Sequence, residues 1–327
     1  MTNYNVLVTR KLPQKAFDFL EKKGVKLEIN PKDEVMPHDE IVQRVKGKDG
    51  LLCLLTDRID AEIMDAGKDT LKMIANYAVG YNNIDIDAAN ARGIPVSNTP
   101  GVLTETTADL AFTLLLAIAR RIVESDRFVR AGNFKGWGPL LQLGQDIYQK
   151  TLGIIGCGRI GSAVAYRAVK GFKMRVLYYD SDRKPKLEEE LGLEYCSLEA
   201  LLKEADFISL HVPLTDTTKH MIDAKELSLM KPSACLINTS RGAVINEEAL
   251  VDCLQNKGIF GAALDVYEYE PKLTNGLEKL DNVILTAHIG SASIETRTKM
   301  AMIAAENLIA GMEGRRPENC VNPEVLE

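Results

Sequence analysis

Three glycines and one acid in the middle of the chain have the spacing of a nucleotide-binding site. Gly156, Gly158 and Gly161 follow the aliphatic run 152–155 directly, in the pattern Gly-x-Gly-x-x-Gly. In such a loop the first glycine permits the turn, the second lets a pyrophosphate approach the backbone, and the third lets the next helix pack closely. Asp180 follows a second aliphatic run, where a carboxylate would accept hydrogen bonds from a ribose 2′-hydroxyl. The stretch predicts a dinucleotide site, since a glycine turn that served only packing would leave Asp180 unexplained.

Four histidines are the candidate proton donors for the chemistry of a nicotinamide cofactor. Hydride transfer to a carbonyl carbon needs a proton at the oxygen, and histidine titrates close to neutrality. His38 and His220 lie in polar stretches, whereas His211 and His288 each follow a predicted strand. His288 is preferred because a glycine two residues later leaves room for a ligand. Glu270, on the preceding strand-end loop, is a possible partner that orients its ring.

Arg241 is the candidate group for holding an anionic substrate. It follows a predicted strand and precedes a glycine, and a guanidinium can bind a carboxylate through two parallel hydrogen bonds. A surface ion pair is the alternative role, since arginines are common in solvated loops. The net charge of −6 means that any anionic substrate must be held by such local groups.

Composition excludes several classes of protein and partner. The 327 residues are enough for two domains, and 46% hydrophobic with 26% charged residues is typical of globular proteins. The net negative charge argues against nucleic acid or an anionic membrane as partner. The apolar run 110–119 is shorter than the roughly 20 residues of a membrane span, and no signal peptide is recognised, so a cytoplasmic location is expected. Six scattered cysteines without a C-x-x-C pair predict reduced thiols and no metal site.

The elements that must position these residues alternate between strand and helix. Predicted strands lie at 5–8, 26–29, 50–55, 71–76 and 94–97, and after the glycine loop at 175–179, 206–210, 234–238, 260–264 and 282–287. This alternation predicts an α/β fold with two doubly wound parallel-sheet domains. Ligands bind at the carboxyl ends of such strands. The residues found there are glycines, polar groups, charged groups and histidines: Gly156, Asp180, His211, Thr239, Ser240, Arg241, Asp265, His288 and Gly290.

An unusually apolar helix and the loop after it are the candidates for an interface. The helix is predicted to begin near Thr104 or Thr106 and is apolar around nearly its whole circumference, which predicts burial between domains or between subunits. The loop 132–146 carries the only tryptophan, Trp137. A packing anchor is the commoner role for such a residue. The alternative is that Trp137 and the helix contribute to a dimer, with the loop reaching toward the neighbouring active site.

Motifs along nearly the whole chain resemble the D-2-hydroxyacid dehydrogenases, and within them the glyoxylate/hydroxypyruvate reductases. Besides the glycine loop they are ANYAVGYNNID at 75–85, TADLA at 107–111, LHVPLT at 210–215, NTSRG at 238–242, LDV at 264–266, EP at 270–271 and HIGSA at 288–292. Two departures are Ala287, where a proline is common, and Cys157, where a larger aliphatic residue is common. Neither removes a functional group.

The resemblance implies a fold and a set of site residues. A Rossmann dinucleotide-binding domain, 100–290, would be inserted in a flavodoxin-like substrate domain, 1–99 and 291–327. Arg241, Glu270 and His288 would be catalytic, and the substrate would be bound by Arg241, His288 and the N–H groups of Val79 and Gly80. Cofactor contacts would come from Thr107, Gly156, Gly158, Arg159, Ile160, Gly161, Asp180, His211, Pro213, Thr239, Ser240, Arg241, Asp265, His288 and Gly290.

The implied activity is reduction of a small 2-keto acid, glyoxylate or hydroxypyruvate, to the D-2-hydroxy acid by hydride transfer from NADH. Asp180 favours NADH, but Arg183 and Lys184 nearby leave NADPH open. The resemblance also implies a homodimer joined through the cofactor domain. One alternative is another dehydrogenase of the family, for phosphoglycerate or D-lactate. A phosphorylated substrate would call for extra basic residues in the first domain, where Arg58 is the one obvious candidate. The other is a non-catalytic NAD(H)-sensing binding protein, which retention of all three catalytic residues disfavours.

Overall fold

The computed structural model describes residues 3–327, which divide into two compact units. One unit comprises the chain up to Leu103 together with Ala292–Glu327, and the other is Thr104–Ser291. The boundaries predicted from the sequence, after residues 99 and 290, lie slightly earlier than these. The first unit is therefore discontinuous in sequence, because the last helix returns to it.

The first unit is built on a parallel sheet whose strands come from the first hundred residues. Its elements are β1 (Asn5–Val8), α1 (Gln14–Lys22), β2 (Lys26–Ile29), α2 (His38–Arg44), β3 (Gly50–Cys53), α3 (Ala61–Ala66), β4 (Met73–Asn76), α4 (Ile86–Ala91) and β5 (Val96–Ser97). Within residues 3–327 the strand order is β2-β1-β3-β4-β5, all parallel. This is the flavodoxin-like order. The aliphatic strands β3 and β4 are buried at every position, as expected for central parallel strands covered on both faces.

The second unit has the larger sheet. Its elements are α5 (Thr104–Ala119), α6 (Ile122–Arg130), β6 (Thr151–Ile155), α7 (Arg159–Phe172), β7 (Arg175–Tyr179), α8 (Pro185–Leu191), β8 (Glu194–Tyr195), α9 (Leu198–Glu204), β9 (Phe207–Leu210), α10 (Ala224–Leu229), β10 (Cys235–Asn238), α11 (Glu247–Gln255), β11 (Gly261–Leu264) and β12 (Val283–Leu285). In the described part of the chain the order is β12-β11-β10-β9-β6-β7-β8, all parallel. That is a Rossmann sheet with an added strand, whose order reverses between β6 and β9. The predicted α/β class with two doubly wound sheets is confirmed.

The last helix, α12 (Ile294–Met312), packs in the first unit against α1, β3 and β4. Ser293 is its N-cap and accepts a hydrogen bond from the Thr296 N–H at 3.1 Å, which satisfies one of the unpaired amides of the first turn. The tail, for which no regular structure was predicted, contains a short 3-10 helix, Pro323–Leu326, and a bridge from Cys320 to Ser97.

Helix α5 corrects one prediction. Its buried residues form the core of the second unit, where the helix packs against α7, β10, β11 and β12. Glu105 and Asp109 on its outer face are ion-paired with Arg167 of α7. The expectation of burial between domains or subunits is corrected in part, because the sheet of its own unit covers most of the apolar surface; a contribution of α5 to a dimer stays a prediction.

Trp137 corrects another prediction. Its side chain is 85% exposed, and Leu140 three residues later is 81% exposed. Trp137 is therefore no packing anchor within its own chain. Among residues 3–327 there is no helix long and apolar enough to cross a membrane.

Candidate active site

The glycine loop joins β6 to α7 at the point where the strand order of the second sheet reverses. Gly156 has φ +91°, and a Cβ there would meet the His211 backbone at 2.8 Å. A Cβ on Gly161 would overlap the Gly156 carbonyl oxygen. Gly158 is the N-cap of α7, and nothing lies within 4 Å of the position that its Cβ would take. Open space before a helix N-terminus suits a pyrophosphate, which the free N–H groups would bind.

Asp180 follows β7 beside this loop. One of its carboxylate oxygens accepts a hydrogen bond from the Cys157 N–H at 2.8 Å, and Lys184 Nζ lies 3.6 Å from the other. Arg183 binds Glu188 at 2.8 Å. Thus, of the two bases that left NADPH open, Arg183 is paired with Glu188 and Lys184 lies near Asp180 itself.

Two buried polar atoms at the carboxyl edge of this sheet have no hydrogen-bond partner among residues 3–327. They are Oγ1 of Thr239, after β10, and Nδ1 of His211, after β9. Part of His211 reaches solvent, but burial of the ring lowers its pKa to about 3, and Nε2 meets Ser209 Oγ at 2.8 Å. A buried polar atom without a partner costs about 1–3 kcal/mol, which a bound ligand can offset. With the open space at Gly158, these two atoms fit a dinucleotide cofactor.

His288 and Glu270 form a direct pair at the same edge of the sheet. Nδ1 of His288 lies 3.0 Å from Oε2 of Glu270, and the Tyr267 N–H donates to the other oxygen at 2.9 Å. Burial alone would raise the pKa of Glu270, but the hydrogen bond and charge of His288, the Tyr267 N–H and the charge of Arg241 lower it below its ordinary value. Because Glu270 is ionised, Nδ1 is the donor to it. Nε2 is then the ring nitrogen left to face a ligand.

Asp265 shapes the loop that carries His288. Its carboxylate accepts hydrogen bonds from the N–H groups of Ile289 and Gly290, both at 2.8 Å, and from Thr286 Oγ1 at 2.6 Å. His288 has φ +53°, a left-handed conformation that costs a non-glycine residue about 1–3 kcal/mol and persists only where the surroundings impose it. Predicted only as a cofactor contact, Asp265 thus also holds the backbone next to His288.

Arg241 follows β10 and lies just before a 3-10 turn, Gly242–Val244. Its Nη1 donates to the Ser240 carbonyl at 2.7 Å. Burial lowers the pKa of Arg241, and the charge of Glu270 opposes that effect. A Cβ on Gly242 would overlap the Tyr267 backbone, so this glycine allows the Arg241 turn and the loop before Glu270 to touch. A half-buried guanidinium is thereby placed close enough to sense the Glu270 carboxylate.

The remaining predicted cofactor residues lie at or near the same edge. Arg159 and Ile160 open α7, Gly290 is buried after β12, and Thr107 Cγ2 lies 3.4 Å from the position of a Gly290 Cβ. Pro213 is exposed two residues after His211. Ser240 is used inside its own loop, since its N–H and Oγ both donate to Asn238 Oδ1, at 2.9 and 2.7 Å.

Val79 and Gly80 belong to the first unit, in the loop after β4. The carbonyl of Val79 accepts a hydrogen bond from Asn98 Nδ2 at 2.7 Å, and that of Gly80 from Asn76 Nδ2 at 3.0 Å. These bonds fix the orientation of the peptide groups. Their role in binding a substrate carboxylate stays a prediction.

Two residues at this edge were not predicted from the sequence. Tyr267 fastens the end of β11 to β12, because its hydroxyl donates to the Thr286 carbonyl at 2.7 Å, and its N–H binds Glu270. Glu247, in the first turn of α11, is buried. An acid on the apolar face of an amphipathic helix is the sequence signal that could have identified Glu247. Its hydrogen-bond partners are distant in sequence and give no such signal.

The second unit therefore combines a glycine loop suited to an anion, a half-buried cation and a histidine with an ionised carboxylate behind it. Such a set can hold a dinucleotide, bind a carboxylate and deliver a proton to an oxygen beside that carboxylate.

Comparisons with known proteins agree with this chemistry. Residues 112–290 match the family described as D-isomer specific 2-hydroxyacid dehydrogenase, NAD binding domain. A glyoxylate reductase of Thermococcus litoralis is 53% identical over 325 residues, which cover 98% of this chain and 97% of that protein.

Solved structures are similar over the same length. A protein of Thermus thermophilus is 49% identical with a TM-score of 0.92, covering 97% of this chain and 99% of that one. An NADPH-dependent glyoxylate/hydroxypyruvate reductase of Sinorhizobium meliloti, in complex with NADP and malonate, is 32% identical with a TM-score of 0.84, covering 98% of this chain and 97% of that one.

Proposed function

The chain belongs to the D-isomer specific 2-hydroxyacid dehydrogenase family, and we propose that it reduces a small 2-keto acid, glyoxylate or hydroxypyruvate, to the D-2-hydroxy acid with NADH. The observation that carries this proposal is the pair of His288 Nδ1 and Glu270 Oε2, 3.0 Å apart, at the strand edge that bears the glycine loop. The proteins similar over the whole chain that are named glyoxylate reductase support the choice of substrate.

The proposed mechanism divides the work among three side chains. Arg241 binds the substrate carboxylate and thereby orients the neighbouring carbonyl. His288 donates the proton on Nε2 to the carbonyl oxygen, while Glu270 keeps the ring oriented and stabilises its charge before transfer. The nicotinamide cofactor, when bound by the glycine loop, Asp180 and Thr239, supplies the hydride. In the oxidation direction His288 is the base.

The substrate is tested by following NADH absorbance against glyoxylate, hydroxypyruvate, pyruvate and phosphohydroxypyruvate. Glyoxylate and hydroxypyruvate are expected to give the highest kcat/KM, with R-glycerate as the product from hydroxypyruvate. Preference for the phosphorylated acid, or an S product, would contradict the proposal. The one extra base considered for a phosphate is Arg58. Its Nε lies 3.3 Å from Asp60 Oδ2, and its side chain is 83% exposed.

The preference for NADH is supported by Asp180 and by the pairing of Arg183 with Glu188. A carboxylate beside a 2′-phosphate costs on the order of 1–3 kcal/mol, which is roughly a ten- to hundredfold ratio in kcat/KM. Asp180→Ala should lower the ratio of kcat/KM with NADH to kcat/KM with NADPH. Asp182→Ala, at the exposed acid two residues later, should leave that ratio unchanged. Equal use of both cofactors by the unmodified enzyme would remove this part of the proposal.

The enzyme is further proposed to form a homodimer through residues 132–146, which we call the arm. Trp137, Leu140 and Leu143 in the arm are exposed, although burying such side chains is favourable by about 1.5–3 kcal/mol each. The end of the arm is anchored, because the Gln145 N–H donates to the Ala119 carbonyl at 2.8 Å. An anchored, apolar and uncovered segment favours a second copy of the chain as its partner.

A further inference from the structure

The loop that carries Glu270 is held by few apolar contacts of its own. Residues 269–273 are all exposed as whole residues, and although the Glu270 side chain itself is only 31% exposed, burial alone does not fix its position. A catalytic group must nevertheless be held within a fraction of an ångström of its working geometry. Hydrogen bonds from outside the loop must supply that constraint.

Glu247 supplies hydrogen bonds at both ends of this loop. Oε1 accepts the N–H of Glu268 at 2.7 Å, and Oε2 accepts the hydroxyl of Thr274 at 2.7 Å. The two contacts lie on either side of Glu270, and a single rigid carboxylate on α11 therefore spans the loop. Glu247 itself is 1% exposed, and an acid is rarely buried to this extent unless its oxygens are bonded.

The same network reaches the turn after Arg241. Oε1 of Glu268 lies 2.7 Å from Nε2 of His220, and the His220 N–H donates to the Ala243 carbonyl at 2.8 Å. Glu247, Glu268 and His220 therefore connect the loop of Glu270 with the turn that follows Arg241.

We propose that Glu247 is a positioning residue for the reaction: through Glu268 and Thr274 it holds the loop 267–274 so that Glu270 stays against His288. The inference rests on the proposed function, because it assigns Glu247 a role in aligning that catalytic pair. The alternative is a purely structural role, as an acid in the first turn of α11, where negative charge is favourable.

The test compares Glu247→Ala with Glu248→Ala, at the exposed neighbour in the same helical turn. Glu247→Ala should lower kcat by about 10- to 100-fold, the range expected when a catalytic group is displaced by about 1 Å, with NADH affinity unchanged by fluorescence titration. Glu248→Ala should leave kcat unchanged. Equal kcat values in these two variants would overturn the proposal.

Conservative replacement separates positioning from charge. In Glu247→Gln the amide oxygen can accept the Glu268 N–H, and the amide nitrogen can donate to the Thr274 hydroxyl, which is also an acceptor. Glu247→Gln should therefore recover most of the kcat lost in Glu247→Ala. A Gln variant as impaired as the Ala variant would contradict the geometry proposed.

A double-mutant cycle shows whether Glu247 acts through Glu270. In a Glu270→Gln background, Glu247→Ala should lower kcat further by no more than about twofold, because residues in one pathway are not additive. A full additional loss would overturn the proposal. If Glu247→Ala fails to fold, Thr274→Val removes one of the two contacts with less disturbance and should lower kcat in the same non-additive way.

The outcome at His288 distinguishes a failure of the proposed function from a failure of the positioning role of Glu247. If His288→Asn kept normal turnover, the proposed function of the pair would fail. If His288→Asn lost turnover while Glu247→Ala kept it, only the positioning role would fail.

Discussion

His211 and His288 follow strands of the same sheet, but their surroundings give them different chemistry. Among residues 3–327 His211 has no carboxylate partner; its Nε2 meets Ser209, and burial lowers its pKa to about 3. His288 has Glu270 at 3.0 Å. A ring that stays neutral suits a hydrogen bond to a cofactor, whereas a ring beside an ionised acid suits proton transfer.

The first prediction at this scale is that His288→Asn lowers kcat by about 10²–10⁴, the usual effect of losing a positioned acid, with NADH binding kept. Asparagine keeps the polarity and approximate size but cannot deliver a proton. Steady-state kinetics and fluorescence titration check the two parts. His211→Asn is the control at the other strand-end histidine. Loss of turnover in His211→Asn, with normal turnover in His288→Asn, would reverse the assignment.

The low pKa of His211 also predicts how stability depends on pH. The folded protein resists protonation of His211 down to about pH 3, whereas the unfolded chain binds the proton near pH 6.5. The stabilising contribution is thus present above pH 6.5 and is lost as pH falls toward 3, by at most about 1.4 kcal/mol per pH unit. Urea unfolding at pH 7, 6 and 5 should show a flatter dependence for His211→Asn.

His38 is the control of opposite sign for this measurement. Its hydrogen bond to Asp60 raises its pKa above the ordinary value, so its contribution is present below pH 6.5 and is lost as pH rises through the raised pKa. His38→Gln should therefore remove stability at pH 5 rather than flatten the acid loss. The same acid dependence in His211→Asn and in the unmodified protein would show that His211 is not the group responsible.

At the scale of elements, the loops after the strands depend on two different uses of glycine. Gly158 has open space beside it and an ordinary φ of −78°, so a methyl group there meets no protein atom. Gly242 lies against the Tyr267 backbone, where β10 and β11 present Arg241 and Glu270. Gly158 thus leaves space for a ligand, whereas Gly242 allows two loops of the protein to touch.

This difference predicts opposite outcomes for two alanine substitutions. Gly158→Ala should keep the melting temperature but weaken NADH binding by about tenfold or more, because the methyl group stands where a pyrophosphate approaches the backbone. Gly242→Ala should lower stability by about 1–3 kcal/mol through overpacking and lower kcat as well. Calorimetry and fluorescence titration measure both. Normal NADH affinity in Gly158→Ala would place the pyrophosphate elsewhere.

At the scale of the whole molecule, the exposed apolar side chains are unevenly distributed. Several exposed apolar side chains lie on α6 or in the arm that follows it: Ile122, Val129, Phe134, Trp137, Leu140, Leu141 and Leu143. Tryptophan is the residue most enriched among those that dominate binding at interfaces. The arm is therefore where a second copy of the chain would gain most from contact.

We predict that light scattering finds a dimer and that the double change Trp137→Ala with Leu140→Ala weakens it. Each of the two anchor residues contributes about 2 kcal/mol, so if the two losses add to about 4 kcal/mol the dissociation constant should rise by roughly 700-fold. Ile294→Ala is the matched control, since Ile294 is 84% exposed on α12, outside the arm. A monomer that is fully active would contradict both the proposed dimer and the hypothesis that Trp137 reaches toward the active site of a neighbouring subunit.

Much of the fold follows from patterns that are local in sequence. Aliphatic runs of four or five residues form central strands because both faces of a parallel sheet are buried, and the spacing of Gly156, Gly158 and Gly161 determines a turn before a helix. The carboxyl ends of parallel strands lie at one edge of a sheet. Because Arg241, Glu270 and His288 all follow strands, the sequence already predicted that they lie in one region of the second unit. These inferences need only neighbouring residues and one general rule of packing.

Other features depended on residues that are far apart in the chain and are brought together by folding. The left-handed backbone of His288 is held by Asp265, and the loop of Glu270 by Glu247 on another helix. Trp137 is a large apolar residue of the kind usually buried in a core. It is nevertheless exposed, because the described part of its own chain does not pack over it. Sequence patterns report which groups are available, whereas hydrogen bonds between distant loops and the covering of surfaces are properties of the packed chain.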